Sequence, residues 1–253
     1  MIQSVDRAAR ILRALAGDPG RLGVSELAER LGLAKTTVHG LLRTLHDHGL
    51  VEQDEQSDKY QLGPQLLQLS NRYLDLSELR SRALAWSELL AARTGEAVRV
   101  GVPHRDGVLV VHHVFRPDAS LQILEVGAML PMHATALGKS VLAYLPETER
   151  ADVLAAGMPK LTGRTVATAS ALERELAEIR ERGWASEREE AVLGEMGVAA
   201  PVFGRGVTVV GAIGIAGPVE RLKPKAKTNA AAASVSEAAR AISRDLGAQR
   251  WPA

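Results

Sequence analysis

The chain of 253 residues contains no cysteine. That excludes a disulfide framework and a thiolate metal site, and it fits a reducing compartment. Aromatic residues make up only 3% of the chain against 46% hydrophobic residues overall. Its cores must therefore be built from Leu, Val and Ala rather than from stacked rings. A formal net charge of +1 names no acidic or basic partner by itself. The longest apolar stretch, residues 207–217, is too short and too rich in glycine to span a bilayer. The first seven residues lack the apolar core of a secretory signal, so the cytoplasm is the expected location and no membrane is expected as a partner. No internal repeat is found, and the length accommodates one large domain or two smaller ones.

What the chain does have is a patterned stretch over residues 22–62. Ser25 stands where a helix N-cap is expected, ahead of Leu27, Ala28 and Leu31. Gly32 can take the left-handed conformation that ends a short helix and turns the chain. Val38, Leu41, Leu42 and Leu45 then recur at i, i+3, i+4 and i+7, one buried stripe of a second helix. Its other face shows Lys35, Thr36, Thr37, His39, Gly40, Arg43 and Thr44, with no acidic residue between Glu29 and Asp47. Small hydroxyls and an arginine on such a surface suit base edges and phosphate oxygens in a major groove. Alternating arms at 50–53 and 59–63, joined by a polar turn, read as a two-stranded wing. There Tyr60 and Leu62 should face the helices, while Lys59 and Gln61 face outward. The candidate DNA-binding residues are Ser25, Lys35, Thr36, Thr37, His39, Arg43 and Lys59. Over residues 1–63, eight Lys and Arg stand against nine Asp and Glu. The reading therefore rests on where the charges fall, and weak non-specific affinity implies two or more copies on one DNA.

Along the rest of the chain, residues 4–16 form a first helix with Val5, Ala8, Ile11, Leu12 and Leu15 as its apolar stripe. Pro64 opens a leucine-bearing helix, and the spacing of Asp75 and Glu78 resembles a capping box that restarts helix to about residue 93. Strands follow at 97–102, 108–114 and 121–126, then helices at about 135–145, 147–156 and 171–182. The last of these is opened by a capping box at Ser170 and Glu173. Strands return at 183–188, 197–203 and 207–216, and an alanine-rich helix over about 225–246 closes the chain. This order is α+β with an antiparallel sheet, not the alternation of a dinucleotide fold. Gly211, Gly214 and Gly217 lie inside a strand rather than between strand and helix, so they make no nucleotide loop, and no cofactor is expected.

In combination, several pieces resemble the IclR family of bacterial transcriptional regulators. They are residues 4–8, 33–39, 60–63, 131–139, 182–185, 199–202 and 212–217, with Glu189, Glu190 and Gly194. The resemblance implies an N-terminal winged helix-turn-helix domain (1–63), a linker helix (64–75) and a C-terminal GAF-like effector-binding domain (76–253). It further implies operator DNA and a small-molecule effector as partners, and a homodimer or a dimer of dimers. Many members carry Arg where this chain has Gly40, which removes one expected DNA contact and weakens the helix by up to about 1 kcal/mol relative to Ala. Residues 111–118 and 135–139 look most like the glycerol-operon regulators of actinobacteria. A repressor controlled by glycerol or glycerol 3-phosphate is therefore expected.

Carried over by position, the effector cavity would be lined by Leu130, Thr135, Ala136, Leu137, Glu187, Gly197, Gly214 and Ala216. The start of the Thr135 helix and its hydroxyl suit an anionic or hydroxyl group. Glu187 can accept from ligand hydroxyls, and Gly214 and Ala216 share one strand face, where small side chains leave room. The glycine and alanine residues would equally permit tight helix-on-sheet packing. Relatives that bind small keto-acids place Ser or Cys at the positions of Gly197, Gly214 and Ala216, so a keto-acid is disfavoured here. Glu189 and Glu190 read as a solvated or structural acidic turn. His112 and His113 are adjacent on a strand and point to opposite faces, so no shared metal site is expected, and no nucleophile–base pair is legible. The expectation is a binding protein, not an enzyme. The alternative is a sensor or enzyme whose N-terminal domain serves only for dimerisation.

Overall fold

The computed structural model describes residues 2–17, 20–75, 77–105, 107–118, 122–249 and 251. The chain divides into two compact units, Met1–Leu76 and Ser77–Ala253.

The first unit contains α1 (Gln3–Ala16), α2 (Val24–Leu31), α3 (Lys35–Asp47), β1 (Val51–Gln53), β2 (Tyr60–Leu62) and α4 (Gln65–Asp75). The stripes foreseen in the sequence build its core: Ile11 and Leu15 from α1, Leu27 from α2, Val38, Leu42 and Leu45 from α3, and Val51 and Tyr60 from the wing. Val5 is exposed, so the inner stripe of α1 is shorter than expected. Gly32 adopts φ +66, and the Leu33 N–H returns to the Ala28 carbonyl at 2.9 Å, which makes the sharp turn between α2 and α3.

Two local expectations are corrected. Ser25 is not the cap of α2. The helix starts two residues earlier than that cap would allow, after an extended Gly23, and Ser25 sits in its first turn with an exposed side chain. The capping contact comes from Glu26, whose Oε2 accepts from the Gly23 N–H at 2.6 Å. In the wing, Tyr60 turns inward, but Leu62 stays 37% exposed. The strand ends there and Gly63 turns the chain into α4, so too little structure covers it.

The second unit contains α5 (Glu78–Thr94), β3 (Ala97–His104), β4 (Gly107–Val114), β5 (Met129–Pro131), α6 (Ala136–Leu142), α7 (Glu147–Ala155) and α8 (Ala169–Arg182). It continues with β6 (Ala185–Arg188), β7 (Glu195–Phe203), β8 (Val209–Pro218), α9 (Val219–Leu222) and α10 (Lys225–Asp245). The strands form a six-stranded antiparallel sheet in the order β5-β4-β3-β8-β7-β6. Pairing of β3 with β8 places Ala97 opposite Ala216 and Arg99 opposite Gly214. Pairing of β7 with β8 places Gly197 opposite Ala216 and Ala199 opposite Gly214. Strand alternation then sets Gly197, Ala199, Gly214 and Ala216 on one face. α6 covers that face: a Cβ added at Gly197 would lie 3.2 Å from Ala136 Cβ. α10 packs on β7 and β8 and against α5. It does so through Ala231, Ala232, Val235, Ala238, Ala239, Ala241 and Ile242, small residues that let helix and sheet approach closely.

The strand expected at 121–126 does not form. Leu121 lies outside the described residues, and 122–126 is irregular backbone; the edge strand is β5, paired with the start of β4. Side chains take the place of a ladder here. Gln122 accepts from the Arg116 N–H at 2.7 Å and donates to its carbonyl at 3.1 Å, while the Glu125 N–H donates to His113 Nδ1 at 3.2 Å. Helix starts also differ. Ser77 caps α5 by accepting from the Arg80 N–H at 3.3 Å, and the side chain of Asp75 lies outside the described residues. Thr168, not Ser170, caps α8, accepting from the Ala171 N–H at 3.4 Å. The short α9 was not foreseen.

Candidate functional sites: a helix-turn-helix face and a cavity on the sheet

On α3, Lys35, Thr36, His39, Gly40, Arg43 and Thr44 are exposed and Thr37 is half-buried, while Val38, Leu42 and Leu45 are buried beneath them. The face expected to read DNA therefore points outward from its own unit. A Cβ added at Gly40 would meet nothing within 4 Å, so the missing side chain leaves an open position on that face. Lys59 is half-buried, and its Nζ lies 3.1 Å from Glu26 Oε1. The Gly23 N–H first, and Lys59 next, hold the Glu26 carboxyl below its ordinary value. Arg21 is held likewise, 2.9 Å from Asp54 and 2.9 Å from Gln61. The wing is thus fastened to Glu26 of α2 and to Arg21 ahead of it by ion pairs that a phosphate could exchange with.

In the second unit, Leu130, Thr135, Ala136, Leu137, Glu187, Gly197, Gly214 and Ala216 all line one cavity of about 140 Å³. Arg99, Glu125 and Glu195 complete its polar wall. α6 and the sheet explain the convergence. Thr135 caps α6, accepting from the Gly138 N–H at 3.0 Å and donating to the Pro131 carbonyl at 2.8 Å. Its hydroxyl is therefore used by the fold before any ligand arrives. A Cβ at Gly138 would sit 2.4 Å from Met132 Cα, so only glycine lets α6 lie against residues 131–132. Gly214 borders the cavity, yet a Cβ there would meet Ala199 Cβ at 2.7 Å; close strand packing requires that glycine whatever the cavity holds.

Glu187 is the chemically distinctive wall residue. It is buried, with Oε2 accepting from the Glu190 N–H at 3.1 Å. Burial foremost, and the carboxylates of Glu190 and Glu195, raise its pKa to about 7. Near neutrality it can both donate to and accept from a ligand hydroxyl. Beside it, the Lys139 ammonium is fully buried and sits 2.7 Å from Glu190 and 2.9 Å from Glu175. Thr165 Oγ1 donates to the Glu190 carbonyl at 2.6 Å, and Arg164 pairs with Glu189 at 3.0 Å. The acidic turn is structural: its Glu190 holds a buried cation instead of facing solvent. Arg99 is fixed by Glu195 at 2.8 Å and Glu125 at 2.7 Å. His113 Nδ1 accepts from the Glu125 N–H at 3.2 Å, and His133 Nε2 lies 3.0 Å from the Pro159 carbonyl.

Residues 71–244 match the family described as bacterial transcriptional regulator IclR C-terminal, and residues 4–55 match the IclR helix-turn-helix domain. The chain belongs to the IclR family. It is 53% identical to the glycerol operon regulatory protein of Streptomyces griseus, over 99% of this chain and 98% of that one. It is 51% identical to the protein of the same name from Streptomyces coelicolor, with the same coverage. Among solved structures, an IclR transcriptional regulator from Alicyclobacillus acidocaldarius superposes with a TM-score of 0.85 at 31% identity, covering 98% of this chain and 100% of that one. The α+β architecture, a helix-turn-helix domain followed by a helix-and-sheet domain, is that of IclR regulators, and the chain is a DNA-binding transcriptional regulator. Among the described residues, no helix is long and apolar enough to cross a membrane.

The sequence reading of this IclR-family chain missed Arg99, Glu125, Glu195 and the Lys139 pairings. Arg99 carried a signal, a lone arginine in the apolar strand 97–102. Glu125 could not be placed while its segment was read as a strand. Lys139 looked like an ordinary helix lysine; only the topology brings Glu175 and Glu190 around it.

Proposed function

We propose that this regulator represses genes of glycerol use and that glycerol or glycerol 3-phosphate, bound in the cavity of the second unit, releases it from the operator. The observation that carries the reading is the convergence of Glu187 and seven other expected positions on one cavity. A buried carboxyl that keeps its proton to about pH 7 suits a polyol, whose hydroxyls need both donors and acceptors. Apolar Gly197, Gly214 and Ala216 leave no hydroxyl for a keto-acid, and relatives above 50% identity are named for a glycerol operon.

On the DNA side, Lys35, Thr36, Thr37, His39 and Arg43 of α3, Ser25 of α2 and Lys59 of the wing contact the operator. Lys59 exchanges Glu26 for a phosphate. The balanced charge of this unit makes single-copy binding weak, so paired copies read half-sites roughly 34 Å apart. Leu67, Leu69 and Tyr73 on α4 are exposed at 64%, 56% and 52%, apolar surface that a second copy would cover. The effector shifts the population of pair geometries that fit the half-sites.

The reading is tested by gel shift of the full chain with DNA from its own upstream region. Retardation that glycerol or glycerol 3-phosphate reverses supports it. No retardation at low salt, together with turnover of either metabolite, would replace it with an enzyme or sensor whose first unit only dimerises.

A further inference from the structure

The cavity has a neighbour of about 290 Å³, lined by His113, Arg116, Gln122 and Ile123 among others. Arg99, Glu125, Val192, Glu195 and Ala216 border both spaces. The two spaces adjoin as an inner and an outer chamber, and the carboxylate-bound Arg99 borders both. The inner chamber alone is below the roughly 300–1,000 Å³ of ordinary ligand pockets, whereas the two together fall within it.

His113 supplies a second, independent observation. Its side chain is in a residue only 9% exposed, and its ring is tilted against Phe115 with centroids 4.8 Å apart. Nδ1 accepts from the Glu125 N–H, so the neutral ring carries its proton on Nε2. Nε2 is buried with no hydrogen-bond partner among the described residues. A buried donor left unmade costs stability, and such groups concentrate where a ligand completes them.

We propose that His113 Nε2–H is a ligand-binding donor, and that the effector is an extended polyoxygenated molecule, a polyol or its phosphate ester, spanning both chambers. Its near hydroxyls meet Glu187 in the inner chamber, and its distal oxygen accepts from His113. This rests on the polyol reading of the inner chamber. Glycerol fills the inner chamber only; a phosphate on its third carbon, or the further hydroxyls of a five-carbon polyol, reach His113. A phosphate there also competes with Glu125 and Glu195 for Arg99, whereas a hydroxyl leaves those pairs intact.

The test is calorimetric titration of the full chain with glycerol, glycerol 3-phosphate and xylitol, in wild type, His113→Asn and His113→Gln. Asn can still accept from the Glu125 N–H but lacks the distal donor; Gln carries an amide near the place of Nε2. His113→Asn is expected to melt like wild type, to weaken the extended ligand by about tenfold and to leave glycerol unchanged, with partial recovery in His113→Gln. Loss for glycerol 3-phosphate alone identifies a phosphate as the distal group, and loss for xylitol alone a hydroxyl. If a folded His113→Asn binds all three ligands as wild type does, or loses glycerol as strongly as the others, the proposal is overturned. If wild type binds none of the three, the polyol reading itself fails and this inference falls with it.

Discussion

Replacing Glu187 with glutamine should stabilise the second unit, and only on one side of neutrality. The folded chain holds this carboxyl at about 7, where an unfolded chain has it at 4.5. Between those values the unfolded chain gives up the proton and the folded chain keeps it. The stability tied to this group is therefore fully present below about pH 4.5 and is lost as pH rises through about 7. At about 1.4 kcal/mol per pH unit, the difference accumulates to about 3 kcal/mol. The residue is only 6% exposed, so solvent screening removes little of it. Glutamine cannot ionise, and its amide oxygen can still accept from the Glu190 N–H. Wild type and Glu187→Gln should therefore melt alike at about pH 4, while the variant melts several degrees higher at pH 8. Scanning calorimetry at matched ionic strength reads the difference, and subtracting the two proteins cancels titrating groups that do not interact with Glu187, such as Glu96, which burial also raises. Equal melting temperatures at pH 8, or a gain of the same size at both pH values, would refute the argument that burial keeps Glu187 protonated.

Removing the fully buried ammonium in Lys139→Met leaves Glu190 and Glu175 facing each other without a cation; urea unfolding should show a loss of about 3–5 kcal/mol, partly recovered when Glu190→Gln is added. Gly40→Ala fills an open position in the middle of α3 and should stabilise the first unit by up to about 1 kcal/mol, seen as a higher melting temperature of its transition. Arg43→Ala leaves the exposed face of α3 folded, with unchanged circular dichroism, but should weaken operator binding; if Arg43 meets a phosphate, the salt slope of log K falls by about one.

Periodicity carried most of the fold. The i, i+3, i+4, i+7 stripe of α3 and the strand alternation at 97–102 and 108–114 are consequences of core burial, and burial is what sequence patterns record. Where local side chains overrode the pattern, the reading slipped. The run 121–126 reads as a strand, but the hydrogen bonds of Gln122 and Glu125 go to Arg116 and His113, and residues 122–126 stay irregular. Caps slipped by two residues, as Gly23 and Thr168 displaced Ser25 and Ser170, because several residue types can start a helix equally well. The cavity positions were legible only through family resemblance. What resemblance could not convey is how each residue is used: Thr135 is committed to capping, Gly214 to strand packing, and only Glu187 combines burial with a proton to share.

The claim on which the account depends is that a metabolite held beside Glu187 weakens the grip of the first unit on DNA. Fluorescence anisotropy of the full chain on a labelled duplex from its own upstream region, with and without glycerol 3-phosphate, measures that coupling directly. The predicted result is operator binding that weakens by about 5- to 150-fold with the ligand in wild type, and that no longer responds in Glu187→Ala. Identical isotherms with and without glycerol or its phosphate, or an undiminished response in Glu187→Ala, would contradict it.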